Sequence, residues 1–230
     1  MATTDATVPD AAMTAPIHDA LDRRGLLPAE HYVDSGYPSA ELVAHAARDH
    51  GIALISPMLA DTSRQARAGT GFHAAAFTVD WDAKQATCPQ GQTSSNWSPA
   101  TQRGTDTIVV KFATNTCGPC PVRDQCTTAA RGGRQLTLKP QPLHETLQTS
   151  RAEQDTTPWQ TRYAIRAGVE GTMHQAIAVT GARNARYKGL AKTHLEHVYS
   201  ATALNLIRLD ACGTATPSTG EEPATSPASN

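Results

Sequence analysis

The run Ile52-Ala-Leu-Ile-Ser-Pro57 stands directly behind Gly51 and is closed by a proline. Its length suits a strand, and unbroken apolar character marks a strand covered on both faces, as in a parallel sheet. The residues before it supply a partner. His31-Tyr-Val-Asp34 reads as a short β-type run with an aspartate at its end, followed by the turn residues Ser35, Gly36, Tyr37 and Pro38. Between the two runs, Ser39 is a good N-cap for a helix through about Asp49, with Leu42, Val43 and Ala46 facing inward and Gly51 as its stop. A first helix is expected from Asp10, with Met13, Ile17 and Leu21 at four-residue spacing, Arg23-Arg24-Gly25 as its stop and a kink at Pro16. Helix, strand, helix, strand in this order is an α/β signature.

From about Leu59 to Pro158 the character changes. Helical periodicity is poor, and alternation appears at Ala76–Asp80, Asp106–Phe112 and Gln135–Lys139. The same stretch holds Cys88-Pro-Gln-Gly, Cys117-Gly-Pro-Cys120 and Cys126. Two thiolates separated by two residues can grip one tetrahedral ion from a tight turn, and a second pair brought across a hairpin completes the shell. We therefore expect a small zinc-ribbon-like β module with Cys88, Cys117, Cys120 and Cys126 holding Zn2+. The plain alternative is a set of buried thiols or a redox pair. Cys212 is left over as a structural or inert thiol.

The chain has 230 residues, of which 39% are hydrophobic and 18% charged, with a formal net charge of −1. That balance gives no global cationic field, which argues against a protein that coats DNA. Neither an apolar run long enough to span a bilayer nor a basic-then-apolar leader is present, so no membrane partner and a cytoplasmic location are expected. Local charge tells more. Between Pro158 and Leu195 stand Arg162, Arg166, Arg183, Arg186, Lys188 and Lys192 against the single acid Glu170.

Within that basic segment, Tyr163-Ala-Ile-Arg166-Ala-Gly-Val-Glu170 places an aromatic, a cation and a carboxylate at offsets of zero, three and seven. On one helix, expected from Pro158 to about Val179, these share a face. A glutamate held beside a guanidinium stays ionised and aimed, which suits it to bind a divalent metal. Gly181-Ala-Arg183-Asn-Ala-Arg186-Tyr187-Lys188-Gly189 follows as a glycine-bounded basic loop with an aromatic, fit for phosphate contacts and base stacking. It could equally be a solvated surface loop. A last helix, about Thr193 to Leu209, carries Leu195, Val198, Tyr199, Leu206 and Leu209 as a core-facing stripe, with His194 and His197 at the surface or capping.

The segments LPAEHYVDSGYPSAEL, CPQG with CGPCPVRDQC, and YAIRAGVEG followed by GARNARYKGLAKTHLEH resemble the C-terminal half of bacterial insertion-sequence transposases of the DDE type. The likeness is to the subgroup with a cysteine-rich insert between the second Asp and the Glu, and it extends from residue 1 to about 210. It implies an incomplete RNase H-like α/β fold whose first strands are missing. It also implies Asp34 as the second catalytic carboxylate, Glu170 as the third, and Mg2+ or Mn2+ bound at both. Tyr163, Arg166 and Glu170 match the first three letters of that family's Tyr-Arg-Glu-Lys signature. Ile177 stands where the lysine would be, and Arg183 or Lys188 would substitute for it.

On this reading residues 1–57 are the first part of the RNase H-like core, 58–157 the cysteine-rich insert, 158–212 the helical second part with Glu170, and 213–230 a disordered tail. DNA at transposon ends would meet Tyr163, Arg166, Arg183, Arg186, Tyr187 and Lys188, and a full-length transposase or a second copy would be a protein partner. Asp5 and Asp10 are not read as replacements for the first catalytic aspartate, so a truncated chain inactive on its own is expected. A zinc-containing DNA-binding or transposase-inhibiting fragment is the alternative, and a nuclease of the same superfamily completed in trans is a third. Asp34 as a simple strand-end turn former and Arg166 with Glu170 as a surface helix pair remain the bland readings.

Overall fold

The computed structural model describes residues 2–214, which form two compact units: Pro9–Arg166, and the described residues before Pro9 and after Arg166. The Pro9–Arg166 unit opens with a 3-10 turn, Asp10–Met13, leading into α1 (Thr14–Asp22). Pro16 falls in the first turn of α1, where a missing N–H breaks no helical bond. The irregularity expected there lies upstream, as the 3-10 turn. Gly25 follows with the left-handed φ of 64° that suits a residue without a Cβ.

Next come β1 (Glu30–Tyr32), α2 (Ala40–His50) and β2 (Ala53–Ile55). β1 and β2 pair in parallel, with Glu30 opposite Ala53, His31 opposite Leu54 and Tyr32 opposite Ile55. The start and stop of α2 are local chemistry: Ser39 Oγ accepts from the Leu42 N–H at 3.1 Å, and Gly51 caps the other end at φ 65°. Val33, Ala46, Ile52 and Leu54 form a core on which Leu27, Tyr37, Leu42 and Val43 pack. The α/β expectation holds, and among the described residues the parallel sheet has two strands.

After α3 (Arg64–Ala68) and a 3-10 turn at Ala74–Ala76 comes a β module. It contains the antiparallel pair β3 (Thr78–Asp80) and β4 (Gln85–Thr87), then β5 (Asn96–Gln102) and β6 (Thr105–Lys111). Two one-turn helices, α4 (Thr114–Cys117) and α5 (Arg123–Cys126), precede β7 (Gln135–Leu138), and β5, β6 and β7 make an antiparallel sheet in that order. Phe77, Ala86, Val110, Phe112, Leu136 and Leu138 are its core. β5 escaped the sequence reading because it is polar and holds Pro99, which an edge strand tolerates. Arg103 and Gly104, at φ 51° and 76°, link β5 to β6 in the two-residue turn whose twist suits a hairpin.

Two further differences concern helices. α6 (Gln141–Gln154) was not foreseen, because Leu143 and Leu147 alone make a thin apolar stripe. It packs on α2, with Lys139 Nζ donating to Glu41 Oε1 at 2.6 Å just ahead of it. Arg151 donates to the Leu59 carbonyl, and Gln154 brackets the Met58 backbone. The single helix expected from Pro158 to Val179 is divided into α7 (Thr157–Ala164) and α8 (Ala167–Thr180), with Ile165 and Arg166 in a turn. Ile165 and Arg166 donate back three residues, to Arg162 and Tyr163, so the helix tightens as it ends. Tyr163, Arg166 and Glu170 are therefore not carried on one continuous helix face.

The other unit pairs α8 with α9 (Leu190–Thr214). Gly181, at φ 70°, ends α8 as expected. Ala176 on α8 and Leu204 on α9 are its buried apolar residues, whereas Leu195, Tyr199, Leu206 and Leu209, read as core-facing, are each more than half exposed. His197 and His194 of α9 both reach Thr3 Oγ1, at 3.0 and 3.2 Å. Gly213 and Thr214 complete α9; the rest of the tail expected to be disordered lies outside the described residues. No helix among the described residues is long and apolar enough to cross a membrane.

Candidate functional site

Asp34 stands two residues beyond the end of β1, at the carboxyl end of a parallel strand pair, the edge where α/β sheets bind ligands. Its backbone is held on both sides: the Val33 N–H donates to the Ile55 carbonyl at 3.1 Å, and Ser56 Oγ donates to the Asp34 carbonyl at 2.8 Å. The carboxylate is roughly half exposed. Oδ1 accepts from the Gly36 N–H at 2.9 Å, an Asx-type turn, and Oδ2 lies 3.6 Å from Arg166 Nη2.

Arg166 is one of three residues in and just after α7 fastened to β1 or to the two residues that follow it. Tyr163 Oη donates to the Val33 carbonyl at 3.2 Å, and Arg162 Nη2 donates to Glu30 Oε1 at 2.6 Å. That hydrogen bond, with a second from Tyr32, holds the Glu30 carboxyl below the usual carboxylate range. Trp159 stacks on Tyr163 at 4.9 Å between centroids and 16° between planes. Asp34, Tyr163 and Arg166 are thus brought together. Arg162 and Trp159 complete the attachment and were not singled out; for Trp159, its place four residues before Tyr163 on the same helix face was the available signal.

Glu170 belongs to the other unit, in the first turn of α8, where a negative charge complements the helix N-terminus. Gly168 and Gly171 flank it with open space around both. The loop from α8 to α9 carries Arg183, Arg186, Tyr187 and Lys188, all exposed. Arg186 also braces the loop: its N–H donates to Glu196 Oε2 at 3.1 Å, Nη2 donates to the Thr180 carbonyl at 3.2 Å, and Nε stands 3.7 Å from Glu196 Oε1. Glu196, largely buried, organises this loop from α9 and was not read from sequence.

Cys88, Cys117, Cys120 and Cys126 line one pocket of the β module together with Phe72, Phe112 and Arg134. All four are half-buried and none is in a disulfide. Their backbones are set by tight turns. The Gly91 N–H donates to the Cys88 carbonyl at 2.8 Å and the Cys120 N–H to the Cys117 carbonyl at 3.3 Å, and the Arg134 N–H reaches Cys117 Sγ at 3.5 Å. Burial pushes the Cys126 thiol up; the nearby Cys117, Cys88 and Cys120 push the same way, against Arg134. The donor chemistry suits Zn2+. As the side chains stand, however, no three His, Cys, Asp or Glu among the described residues are gathered to hold one ion.

Comparison with curated proteins and with solved structures finds no match. A family model described as "Transposase DDE domain" matches residues 87–210. The match takes in the four cysteines, Tyr163, Arg166, Glu170 and the basic loop, and Asp34 lies ahead of it. With more than half of its length matched, the chain belongs to the transposase DDE domain family.

Proposed function

We propose that Asp34 and Glu170 are the carboxylates through which this DDE domain takes part in phosphodiester chemistry on DNA, as the second and third members of the family's acidic set. The observation that carries the reading is Asp34 at the open end of β1 with Arg166 of the Tyr-Arg-Glu pattern beside it. Strand-end and helix carboxylates are the hard oxygen donors that Mg2+ or Mn2+ requires, and such ions supply activation of the attacking oxygen and charge neutralisation at the leaving one. The chain's own residues do the positioning. The Gly36 N–H aims the Asp34 carboxylate, Arg166 stands against it, Tyr163 ties α7 to Val33 beside it, and Arg183, Arg186, Tyr187 and Lys188 meet the DNA backbone and bases. The frame is an RNase H-like core into which the cysteine-bearing β module is inserted.

Two assigned carboxylates are fewer than the family chemistry uses, so the isolated chain does not cut DNA alone and works with a full-length transposase or a second copy. The test is a nicking assay on supercoiled DNA with Mg2+ or Mn2+. No cleavage by the purified chain is expected; cleavage that Asp34→Asn and Glu170→Gln abolish would overturn inactivity while supporting the carboxylates, and cleavage indifferent to both would sink the assignment.

The four thiols around one pocket favour a second reading, a zinc-containing DNA-binding or regulatory fragment that inhibits transposase without catalysis. One zinc per chain, salt-sensitive DNA binding and inhibition of transposition that survives Asp34→Asn would select it.

A further inference from the structure

Four histidines of the Pro9–Arg166 unit converge on one place for which the proposed function has no use. His18 of α1 is fully buried, and its Nε2 lies 2.8 Å from Nδ1 of His31 on β1. The His18 ring also meets the His50 ring of α2 at 5.6 Å, and His50 meets His45 at 5.8 Å. Hydrogen bonding is incomplete: His18 Nδ1, His45 Nδ1 and both ring nitrogens of His50 are buried without a hydrogen-bond partner. No three of these groups are arranged to hold a metal ion. We propose that the His18–His31 pair, with the His50 ring of α2 packed on His18, forms an acid-sensitive latch that fastens α1 to β1 and α2 and opens as pH falls below neutral.

Geometry makes the latch work in one protonation state. A bond between two ring nitrogens needs one to donate and the other to accept, so it exists only while at least one ring is neutral. When both carry a second proton, two N–H groups and two positive charges face each other, with His18 fully buried and His31 partly so. The surrounding charges do not offset this. From α1 only Asp19 favours a charged His18, while His31 from β1 and His50 and His45 from α2 oppose it, after burial as the main cause. His31 is likewise held below the ordinary histidine range by burial. Asp19 lies 3.3 Å from His50 Nε2, and Asp49, already engaged by Arg48, lies 3.1 Å from His45 Nε2. Glu30 and Tyr32 sit on the other face of β1, tied to Arg162 and to each other.

The sign follows. Because His18 and His31 bind protons less readily when folded, the released state binds more of them as pH falls through about 6.5, the ordinary histidine value. The latch is intact above that value and weakens below it, the open population growing about tenfold per pH unit for each proton taken up only on release.

Hydrogen exchange on the full chain tests this. Between pH 7.5 and 5.5, after correction for intrinsic exchange, protection of α1 should fall at least about tenfold relative to that of β6. His31→Gln should flatten the dependence. Constant α1 protection overturns the latch, as does the same pH dependence in the variant. If the variant does not fold, the parent chain's α1-to-β6 ratio decides alone. Added zinc that raises α1 protection at pH 7.5 would make the cluster a metal site and overturn the proposal.

Discussion

Arg166 Nη2 lies 3.6 Å from Asp34 Oδ2, so the cation of the Tyr-Arg-Glu pattern stands against the strand-end carboxylate. A guanidinium at that distance competes with a divalent cation for the same carboxylate oxygen. Both side chains keep contact with water, and pairs of this kind contribute about 1 kcal/mol or less. Arg166→Gln is therefore expected to shift the urea midpoint little. The same variant should bind Mn2+ more tightly, read by electron paramagnetic resonance, because a competing charge has gone. Weaker Mn2+ binding would show that Arg166 aims the carboxylate more than it competes for it.

Gly133 shows where the β module admits no side chain. A Cβ there would lie 2.2 Å from the Phe112 carbonyl oxygen and 2.9 Å from its carbon, both backbone atoms. Gly133→Ala must move the chain entering β7, at an expected cost of about 1–3 kcal/mol. Gly168→Ala on α8 meets open space and should stabilise its helix by about 0.5–1 kcal/mol. Denaturant titration of the two variants should separate them by sign.

The thiols are distinguishable by reagent. In metal-free protein at pH 8, Cys212, exposed near the end of α9, should react first with a disulfide reagent. Cys126, whose thiol is pushed up by burial and by its sulfur neighbours, should react last. Zinc at one equivalent should protect four thiols and leave one. Five thiols reacting unchanged in zinc would remove the metal reading.

The loop after α8 yields a salt test. Arg183→Ala and Lys188→Ala should each lower the slope of log affinity against log salt by about one unit on duplex DNA. Arg186→Ala should act differently, since its guanidinium holds Glu196 and the Thr180 carbonyl. Loss of loop order, seen as faster exchange around residue 186, is expected along with weaker binding. Equal slopes for all three variants and the parent chain would place the DNA contact elsewhere.

Local chemistry made much of the fold legible. Ser39 and Gly51 bound α2, the apolar run behind Gly51 became β2 paired to β1, and alternation located β3, β6 and β7, each because the signal lies within a few residues of its effect. The polar edge strand β5 and the sparsely apolar α6 were hidden, since one rests on its hydrogen-bonding partner β6 and the other packs on α2. Tertiary structure alone decided that the Tyr163 helix stops at Ala164, with Arg162, Tyr163 and Arg166 reaching β1 and Asp34. It alone gathered His18, His31, His45 and His50, which are scattered along the sequence. The sequence by itself determined residue chemistry and the ends of α2, because caps and periodicity act over a turn or two. Which distant side chains meet was left to packing, because that depends on how a strand, its crossover helix and a later helix close on one another.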